Sequence, residues 1–333
     1  MIAFYISSHG FGHLTRSLVH IEEYLKKNKY IYLVCGEKQI NFAKKYLKKY
    51  KKRVIFKILD TDIGLINKKN SLNIDLESLE DKLFEFIDSW EYTVENEFKF
   101  LQNRELEKII TDISPIGILV GKRLQIKVIA ISNFTWYNQY SFLQLNKVIL
   151  DKFYQVENYI DEFRVYPLSL DLSHIDCIKK DIPYVAREFN FEKIDDLRKK
   201  YKEIIFISCG KSANLEKIQI NNYKGAIFYT DGIEIIGDGK HIKLATETED
   251  THNYVAASDF IISKAGWGTV AEAVLGKVPM VLLEREGVLE DTYTINELKK
   301  QKKAVSIKVE ELKVLDIIKL KRNINDFIAS CKR

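Results

Sequence analysis

The stretch that decides the fold is Ser258-Asp259-Phe260-Ile261-Ile262-Ser263-Lys264-Ala265-Gly266-Trp267-Gly268-Thr269-Val270-Ala271-Glu272-Ala273. Phe260–Ser263 is a short apolar run typical of a buried strand, and a turn containing Gly266 and Gly268 follows it. We predict that a helix begins at Thr269. Glycine lets a backbone approach a ligand closely, and the N–H groups that open a helix carry partial positive charge. The stretch therefore predicts a strand, a turn and a helix arranged to bind a phosphate.

Glu272 lies about one turn into this predicted helix. From there its carboxylate can reach back toward a neutral polyol beside the bound phosphates. A phosphate site with a carboxylate for sugar hydroxyls suits a nucleotide or a nucleotide sugar. A strand–turn–helix without any binding role can have a similar sequence. The motif alone therefore leaves both interpretations open, a nucleotide site and a purely structural turn.

Around this stretch, β-rich runs alternate with helical patterns twice along the 333 residues. In the first half we predict strands at Ile2–Ile6, Tyr30–Cys35, Val54–Leu59, Lys108–Thr111 and Val128–Ile131. In the second half we predict strands at Ile204–Ser208, Ala226–Tyr229, Ile242–Leu244, Phe260–Ser263, Met280–Leu283 and Ala304–Ile307. This alternation indicates an α/β chain with parallel sheets built from βαβ units.

The length suits two domains, and Pro167 and Pro183 mark the region between them. We predict two doubly wound, Rossmann-like domains, residues 1–175 and 176–333, that face each other across a cleft. Open α/β sheets bind ligands at the carboxyl ends of their strands, so both sheets should present those ends to the cleft. Long helices are predicted at Leu76–Leu106 and at Val314–Ile328, the latter packing back on the first domain.

Composition excludes several classes of protein. The chain is 46% hydrophobic and 30% charged, with a net charge of +5, and no apolar run approaches the ~20 residues that cross a bilayer. The chain begins almost at once with a strand and its four cysteines form no CxxC pair, so we expect no signal peptide, a cytoplasmic location and no zinc site. A lysine cluster from Lys44 to Arg53 is either a solvated helix end or a contact with anionic lipid at the inner membrane face. No nucleic-acid motif accompanies it.

The loop after the first strand, Ser7-Ser8-His9-Gly10-Phe11-Gly12-His13, is the first candidate for catalysis. A helix should begin near Leu14 or Thr15. A neutral imidazole at His13 can take a proton from a hydroxyl near pH 7, although a local hydrogen bond in the helix is the alternative. Asp112 ends a predicted strand and can orient that imidazole like the acid of a catalytic triad, or can cap the next helix. The loop lacks the third glycine of a dinucleotide fingerprint, so no NAD cofactor is predicted.

Three further loops carry polar residues. The segment Ser208-Cys209-Gly210-Lys211-Ser212 follows a strand, but Ile205 stands where a Walker loop has its first glycine, so it is not a Walker loop. We predict instead a small turn that faces a phosphate. Glu290 and Asp291 open a predicted helix, where they either stabilise its N-terminus or bind sugar hydroxyls. Asp60-Thr61-Asp62 resembles a metal-binding DxD motif, but a loop at the cleft rim is the interpretation we adopt, with no metal predicted.

Together these residues resemble the GT-B glycosyltransferase superfamily, in particular the MurG type of glycosyltransferase family 28. Residues 258–279 look like the donor-binding signature of that family, in which the glutamate matching Glu272 holds the nucleotide ribose and the histidine matching His13 is the proposed base. A closer likeness is to the glycosyltransferase-like half of plant L-arabinokinase. It is carried by His9-Gly10-Phe11-Gly12-His13-Leu14-Thr15-Arg16, Ser132-Asn133-Phe134-Thr135-Trp136, Asp181-Ile182-Pro183 and Gly268-Thr269-Val270-Ala271-Glu272. Trp267 and the turn at Cys209 depart from the family pattern.

The resemblance implies a metal-independent, inverting enzyme of the hexosyltransferase type that moves a sugar from a UDP-sugar to a lipid-linked or glycan acceptor, without a cofactor. His13 and Asp112 would be catalytic, and the acceptor-side loop would contain Gly10, Phe11, Gly12 and Arg16. The donor would contact Ser208, Gly210, Lys211, Ser212, Gly266, Gly268, Thr269, Glu272, Glu290 and Asp291. Two alternatives stay open. One is a nucleotide-sugar hydrolase or epimerase, since the UDP-sugar hydrolase of pseudaminic acid synthesis has a Gly-x-Gly-His-x-x-Arg start similar to Gly10–Arg16. The other is a non-catalytic nucleotide-sugar binder, such as a partner subunit or a sensor.

Overall fold

A computed structural model describes residues 1–69, 73–209, 217–245 and 248–329. In it the chain divides into two units. The first unit comprises Met1–Ile66 and Ile74–Tyr184, and the second comprises Asn67–Asn73 and Val185–Arg333. The division expected after residue 175 falls inside the first unit, because one more strand of its sheet follows that position.

The first unit is built on one sheet with helices between its strands. The strands are β1 (Ile2–Ile6), β2 (Ile31–Cys35), β3 (Val54–Ile58), β4 (Lys108–Asp112), β5 (Val128–Ser132), β6 (Glu162–Val165) and β7 (Ile178–Asp181). They pair in parallel in the order β3-β2-β1-β4-β5-β6-β7. The helices are α1 (Gly12–Lys26), α2 (Glu37–Tyr46), α3 (Leu76–Leu101), α4 (Pro115–Leu124), α5 (Trp136–Phe142) and α6 (Lys147–Glu157), with a 3-10 helix at Lys48–Arg53.

The second unit has a six-stranded and a three-stranded parallel sheet. Its strands are β8 (Ile204–Ser208), β9 (Ile218–Asn221), β10 (Ala226–Tyr229), β11 (Ile235–Gly237), β12 (Lys240–Lys243), β13 (Phe260–Lys264), β14 (Met280–Glu284), β15 (Ala304–Lys308) and β16 (Val314–Asp316). The orders are β12-β10-β8-β13-β14-β15 and β11-β9-β16. The helices are α7 (Phe191–Tyr201), α8 (Thr251–Ala257), α9 (Trp267–Leu275), α10 (Leu289–Lys300) and α11 (Ile317–Ala329), with a 3-10 helix at Val309–Lys313.

The central strands explain why the alternating pattern of the sequence folds this way. Every residue of β1, β2 and β5 is buried, as expected for parallel strands covered on both faces. In the second unit, side chains of β8, β13 and β14 share one apolar core. The α/β class and the parallel sheets are thus confirmed, and the carboxyl ends of neighbouring strands meet at one edge of each sheet.

The predicted strands are all present, with ends that move by one or two residues, but five strands were missed: β6, β7, β9, β11 and β16. They are short, and all four residues of the edge strand β7 are exposed, so their sequences lack the apolar runs that predict strands. One limit of each of the two long helices was wrong. The helix from Leu76 ends at Leu101 because the chain turns there toward β4, and Val314–Asp316 forms β16, so the last helix begins at Ile317.

Candidate functional site

The loop between β1 and α1 places His13 in the first turn of a helix. α1 begins at Gly12, two to three residues earlier than predicted. Gly10 has a φ of +77°, a left-handed conformation that glycine adopts without strain. The Gln39 side chain donates hydrogen bonds to the carbonyl oxygens of Ser8 and Gly10, at 2.6 and 3.0 Å. The loop is therefore held in one conformation by the neighbouring helix α2.

Asp112 meets His13 because β1 and β4 are adjacent strands. Ile6 and Asp112 are paired in register at the carboxyl end of the sheet. His13 Nδ1 lies 3.0 Å from Asp112 Oδ1, and both residues are buried. The helix-cap alternative for Asp112 is wrong, since the cap of α4 is Ser114, whose side chain accepts from Gly117 N–H.

Arg16 does not face an acceptor, because it is only 3% exposed and its guanidinium is engaged inside the unit. Its Nε donates to Asp112 Oδ2 at 2.6 Å, and its Nη2 donates to Oδ1 at 2.5 Å. It also donates to Asn133 Oδ1 at 2.8 Å and to Ser132 Oγ at 2.9 Å. Burial alone would raise the pKa of Asp112, but the charges of Arg16 and His13 outweigh burial and lower it to about 2. Asp112 is therefore an ionised acceptor at neutral pH.

The hydrogen positions around His13 follow from counting donors. Arg16 Nη2 carries two hydrogens, and Asp112 Oδ1 and Ser132 Oγ receive them. Nη2 also lies 2.9 Å from His13 Nδ1, but it has no third hydrogen to donate there. An unprotonated Nδ1 would direct its lone pair at the lone pairs of the Asp112 carboxylate, which is repulsive. Nδ1 therefore carries the proton and donates a hydrogen bond to Asp112. Among the described residues no hydrogen bond reaches His13 Nε2, which is left with its lone pair.

The rest of this loop is open or structural. Gly10 and Gly12 are exposed, and the ring of Phe11 contacts that of Phe42, with 5.7 Å between the ring centroids. Asp62 is buried and accepts from Ser8 N–H and Trp136 Nε1–H, each at 2.8 Å. Asp62 therefore supports the loop of His13 from inside the unit, while Asp60 is exposed, and a position of this loop at the rim of a cleft stays a prediction.

In the second unit, β13 leads directly into α9. The cap of α9 is Gly266 and the helix begins at Trp267, two residues before the predicted start, so Gly268 and Thr269 lie in its first turn. A Cβ atom at Gly266 would meet nothing within 4 Å, which leaves open space beside the N–H groups of that turn. Trp267 is 2% exposed, so its bulk points into the protein and leaves the helix N-terminus accessible to an anion.

Glu272 is held by an arginine that the sequence did not reveal. Arg187 Nη2 donates to Glu272 Oε1 at 2.8 Å and to Thr251 Oγ1 at 3.3 Å. Arg187 and Glu272 are 4% and 7% exposed. Among the described residues no hydrogen bond reaches Glu272 Oε2, so one carboxylate oxygen remains for a ligand. Arg187 follows a stretch without periodicity and belongs to no motif, so no sequence signal could have found it.

Two cations lie at the carboxyl ends of the adjacent strands β13 and β14. Arg285 Nε and Nη2 donate to the two oxygens of Asp291 at 2.6 and 2.8 Å, and Asp291 is fully buried. Asp291 therefore holds Arg285 and cannot contact a sugar, contrary to expectation. Lys264 Nζ makes no hydrogen bond or ion pair with any described residue. Burial, and then the charge of Arg285, lower the pKa of Lys264 to about 8.

The remaining predicted donor residues are placed only in part. Ser208 Oγ lies 2.9 Å from Thr230 Oγ1, and half-buried Glu290 opens α10. Gly210, Lys211 and Ser212 lie outside the described residues. Their donor contacts, like the acceptor contacts of Gly10, Phe11 and Gly12, stay predictions.

Two global features of the described residues bear on partners. No helix combines the length and apolar character needed to cross a membrane, and no group of His, Cys, Asp and Glu side chains is arranged to hold a metal. In the lysine cluster, Lys49 pairs with Glu22 and Arg53 Nη1 donates to Leu25 O. Some of its charge is thus used within the unit, and membrane contact through it stays a prediction.

Comparison with known proteins finds one matching family model and a relative of similar sequence. Residues 187–331 match the model of the glycosyltransferase family 28 C-terminal domain. L-arabinokinase of Arabidopsis thaliana is 22% identical over 321 residues, a match that covers 90% of this chain and 29% of that protein. The chain thus spans less than a third of the length of that relative.

Solved structures share the fold across nearly the whole chain. Arabidopsis thaliana UGT89C1 complexed with UDP-L-rhamnose has a TM-score of 0.60 at 11% identity, covering 97% of this chain and 88% of that one. A UDP-glucose: anthocyanidin 3-O-glucosyltransferase in complex with UDP has a TM-score of 0.60 at 11% identity, covering 98% and 89%. The chain therefore has the fold of these proteins, the GT-B fold, and its residues 187–331 match the glycosyltransferase family 28 C-terminal domain.

Proposed function

We propose that this chain transfers a sugar from a UDP-sugar to an acceptor hydroxyl, with inversion at the anomeric carbon and without a metal ion. The observation that carries the proposal is the imidazole of His13, whose Nδ1 is bound to Asp112 and whose Nε2 has no partner among the described residues. The family 28 match and the similarity to proteins solved with UDP-L-rhamnose and UDP support the donor class. The acceptor, lipid-linked or glycan, would bind beside the glycine loop of the first unit.

In this mechanism the acceptor hydroxyl gives its proton to His13 Nε2 while its oxygen forms a bond to the anomeric carbon. The bond from that carbon to the diphosphate oxygen breaks, and its electron pair leaves with UDP. Asp112 stabilises the imidazolium that forms. The charge that develops on the diphosphate is stabilised by the first-turn N–H groups of α9 and by Lys264. The free oxygen of Glu272 would accept a hydrogen bond from the ribose.

Thermal unfolding with added nucleotides tests the donor class. We expect UDP and UDP-sugars to stabilise the chain, whereas NAD and adenosine or guanosine diphosphates should not. A ligand present at 100 times its dissociation constant raises the free energy of unfolding by about 2.7 kcal/mol. Calorimetry resolves the resulting rise in unfolding temperature. Stabilisation by NAD alone would contradict the proposal.

Product analysis separates transfer from the two alternatives. We expect sugar to leave the UDP-sugar rapidly only when an acceptor is present. Free sugar released at full rate without an acceptor would favour a hydrolase, and an altered sugar still attached to UDP would favour an epimerase. Tight UDP binding with no turnover across a broad acceptor panel would identify a non-catalytic binder.

Replacing Lys264 by methionine should weaken UDP binding by about 10- to 150-fold, because a charge-assisted hydrogen bond is worth about 1.5–3 kcal/mol. Uridine, which has no phosphates, should bind equally well to both proteins. Lys264 has a pKa of about 8, and only its protonated form attracts the diphosphate. UDP affinity should therefore fall as the pH rises above about 8, and this dependence should vanish in Lys264→Met. Titration calorimetry measures both effects, with exposed Lys319→Met as the control.

Equal UDP affinities for the wild type and Lys264→Met would remove Lys264 from the donor site. A parallel loss of uridine binding would instead point to a structural defect, which the free energy of unfolding of the variant would reveal.

A further inference from the structure

We propose that Arg16 is a positioning residue, whose guanidinium keeps the ring proton of His13 on Nδ1 and thereby leaves Nε2 as the base. The catalytic consequence rests on the proposed function. The protonation pattern itself concerns only the first unit and can be measured without any substrate.

The geometry around Arg16 is that of a built polar site. His13 and Arg16 are three residues apart on α1, so their side chains lie on the same face of the helix. The guanidinium forms a bidentate pair with Asp112 from β4 and reaches Ser132 and Asn133 at the end of β5. Its Cζ lies 5.2 Å from the centre of the Tyr166 ring. Arginine supplies such a planar fork of donors, which lysine cannot reproduce.

Removing this fork would change what Asp112 does. Apart from His13 and Arg16, the only described residue that donates to the carboxylate is Ser17, whose Oγ forms a weak hydrogen bond at 3.3 Å. A carboxylate buried without its counterion tends to become protonated. A protonated Asp112 would donate to Nδ1 instead of accepting from it, and the ring proton would then move to Nε2. The base would be lost although His13 and Asp112 were both still present.

The other ionisable groups around this site belong to four elements. Asp112 faces the His13 ring from the end of β4, and Asp62 acts on it electrostatically from the loop after β3. Tyr166, beyond β6, covers Arg16, and its hydroxyl lies 2.8 Å from His20 Nε2 on α1. Of these groups, only Arg16 brings a fixed positive charge to Asp112.

Nuclear magnetic resonance of the ring nitrogens tests the proposal directly. The chain has six histidines, and the signal of His13 is the one that disappears in His13→Gln. In the wild type above the pH at which the ring is protonated, we expect the pattern of a proton on Nδ1. We expect Arg16→Met to shift that population toward Nε2–H, whereas Arg16→Lys, which keeps a positive charge beside Asp112, should retain the proton on Nδ1. Exposed Arg123→Lys is the matched control and should leave the pattern unchanged.

A wild-type ring that carries its proton on Nε2 would overturn the proposal without any variant. A folded Arg16→Met protein with the wild-type pattern would also overturn it. If the methionine variant fails to fold, Arg16→Gln decides, since it also removes the charge but keeps a polar side chain that can donate hydrogen bonds. If both variants fail to fold, the wild-type spectrum decides alone.

In a transfer assay, Arg16→Met should lower kcat at least tenfold while the KM for the UDP-sugar stays the same, and the acidic limb of the pH profile should move. A merely structural role would lower activity without changing the ring pattern or that limb. If the ring pattern responds to Arg16 but no acceptor supports turnover, the proposed function fails and the assignment of the proton stands.

Discussion

Replacement of His13 by alanine is expected to lower the turnover of sugar transfer by about 10²–10⁴-fold, the usual contribution of a general base. The physical reason is the unpaired Nε2 lone pair, which nothing else in the first unit replaces, since Asp112 is committed to Arg16. Affinity for UDP should not change, because the residues proposed to bind the donor belong to the second unit. Steady-state kinetics with a UDP-sugar and titration calorimetry with UDP measure the two quantities.

The control for this experiment is His241→Ala, because His241 is only half-buried in the second unit and, among the described residues, bonds only to the backbone oxygen of Asp238. Added imidazole should restore part of the turnover of His13→Ala and none to the control. Unchanged turnover in His13→Ala would remove this residue from the role of base. A loss of turnover accompanied by a loss of UDP binding would show that the substitution acts through the fold.

Replacement of Glu272 by glutamine is expected to weaken UDP binding by about 10- to 150-fold, which corresponds to the 1.5–3 kcal/mol of a hydrogen bond to a charged group. Arg187 occupies Oε1, so the loss should come from the ribose contact of the remaining oxygen. Glutamine keeps the shape of the side chain. It removes the charge that pairs with Arg187 but keeps an oxygen that can accept from it. Alanine would remove the acceptor as well and leave the buried Arg187 without its partner, a change that costs about 3–5 kcal/mol of stability.

Comparison of nucleotides sharpens this test. UDP and uridine should both bind Glu272→Gln more weakly, because both carry the ribose, whereas Lys264→Met should affect UDP alone. Exposed Glu310→Gln is the matched control for the loss of one carboxylate charge. Wild-type affinity for both ligands in Glu272→Gln would contradict a ribose contact, and urea unfolding would show whether the fold was preserved.

The positions of the candidate residues were predictable where they follow from strand order. His13 follows the loop after β1 and Asp112 ends β4. Both strands have strong apolar runs, and neighbouring parallel strands bring such residues to one edge of a sheet. The same logic located Glu272 on the helix after β13. These inferences need only the alternation of β-rich runs and helices, which the sequence displays clearly.

The partners of these residues could not be predicted. Arg187 and Glu272 are 85 residues apart in the chain, and Arg16 and Asn133 are 117 apart. No sequence periodicity links positions so far apart, and the residues around an arginine do not show whether its side chain is solvated or buried. The sequence therefore suggested that Asp291 contacts a sugar and Arg16 an acceptor, although each is engaged within its own unit by an oppositely charged side chain.

The pairing of β1 with β4 also has a consequence for folding. Ile2 lies opposite Lys108, and the contact between His13 and Asp112 spans 99 residues. Closing so long a loop costs conformational entropy before any contact compensates for it, and chains dominated by distant contacts fold slowly. During synthesis the imidazole cannot meet its carboxylate until β4 has left the ribosome. This contact therefore forms late, because the strand order makes it depend on β4, even though the helix that carries His13 can form early.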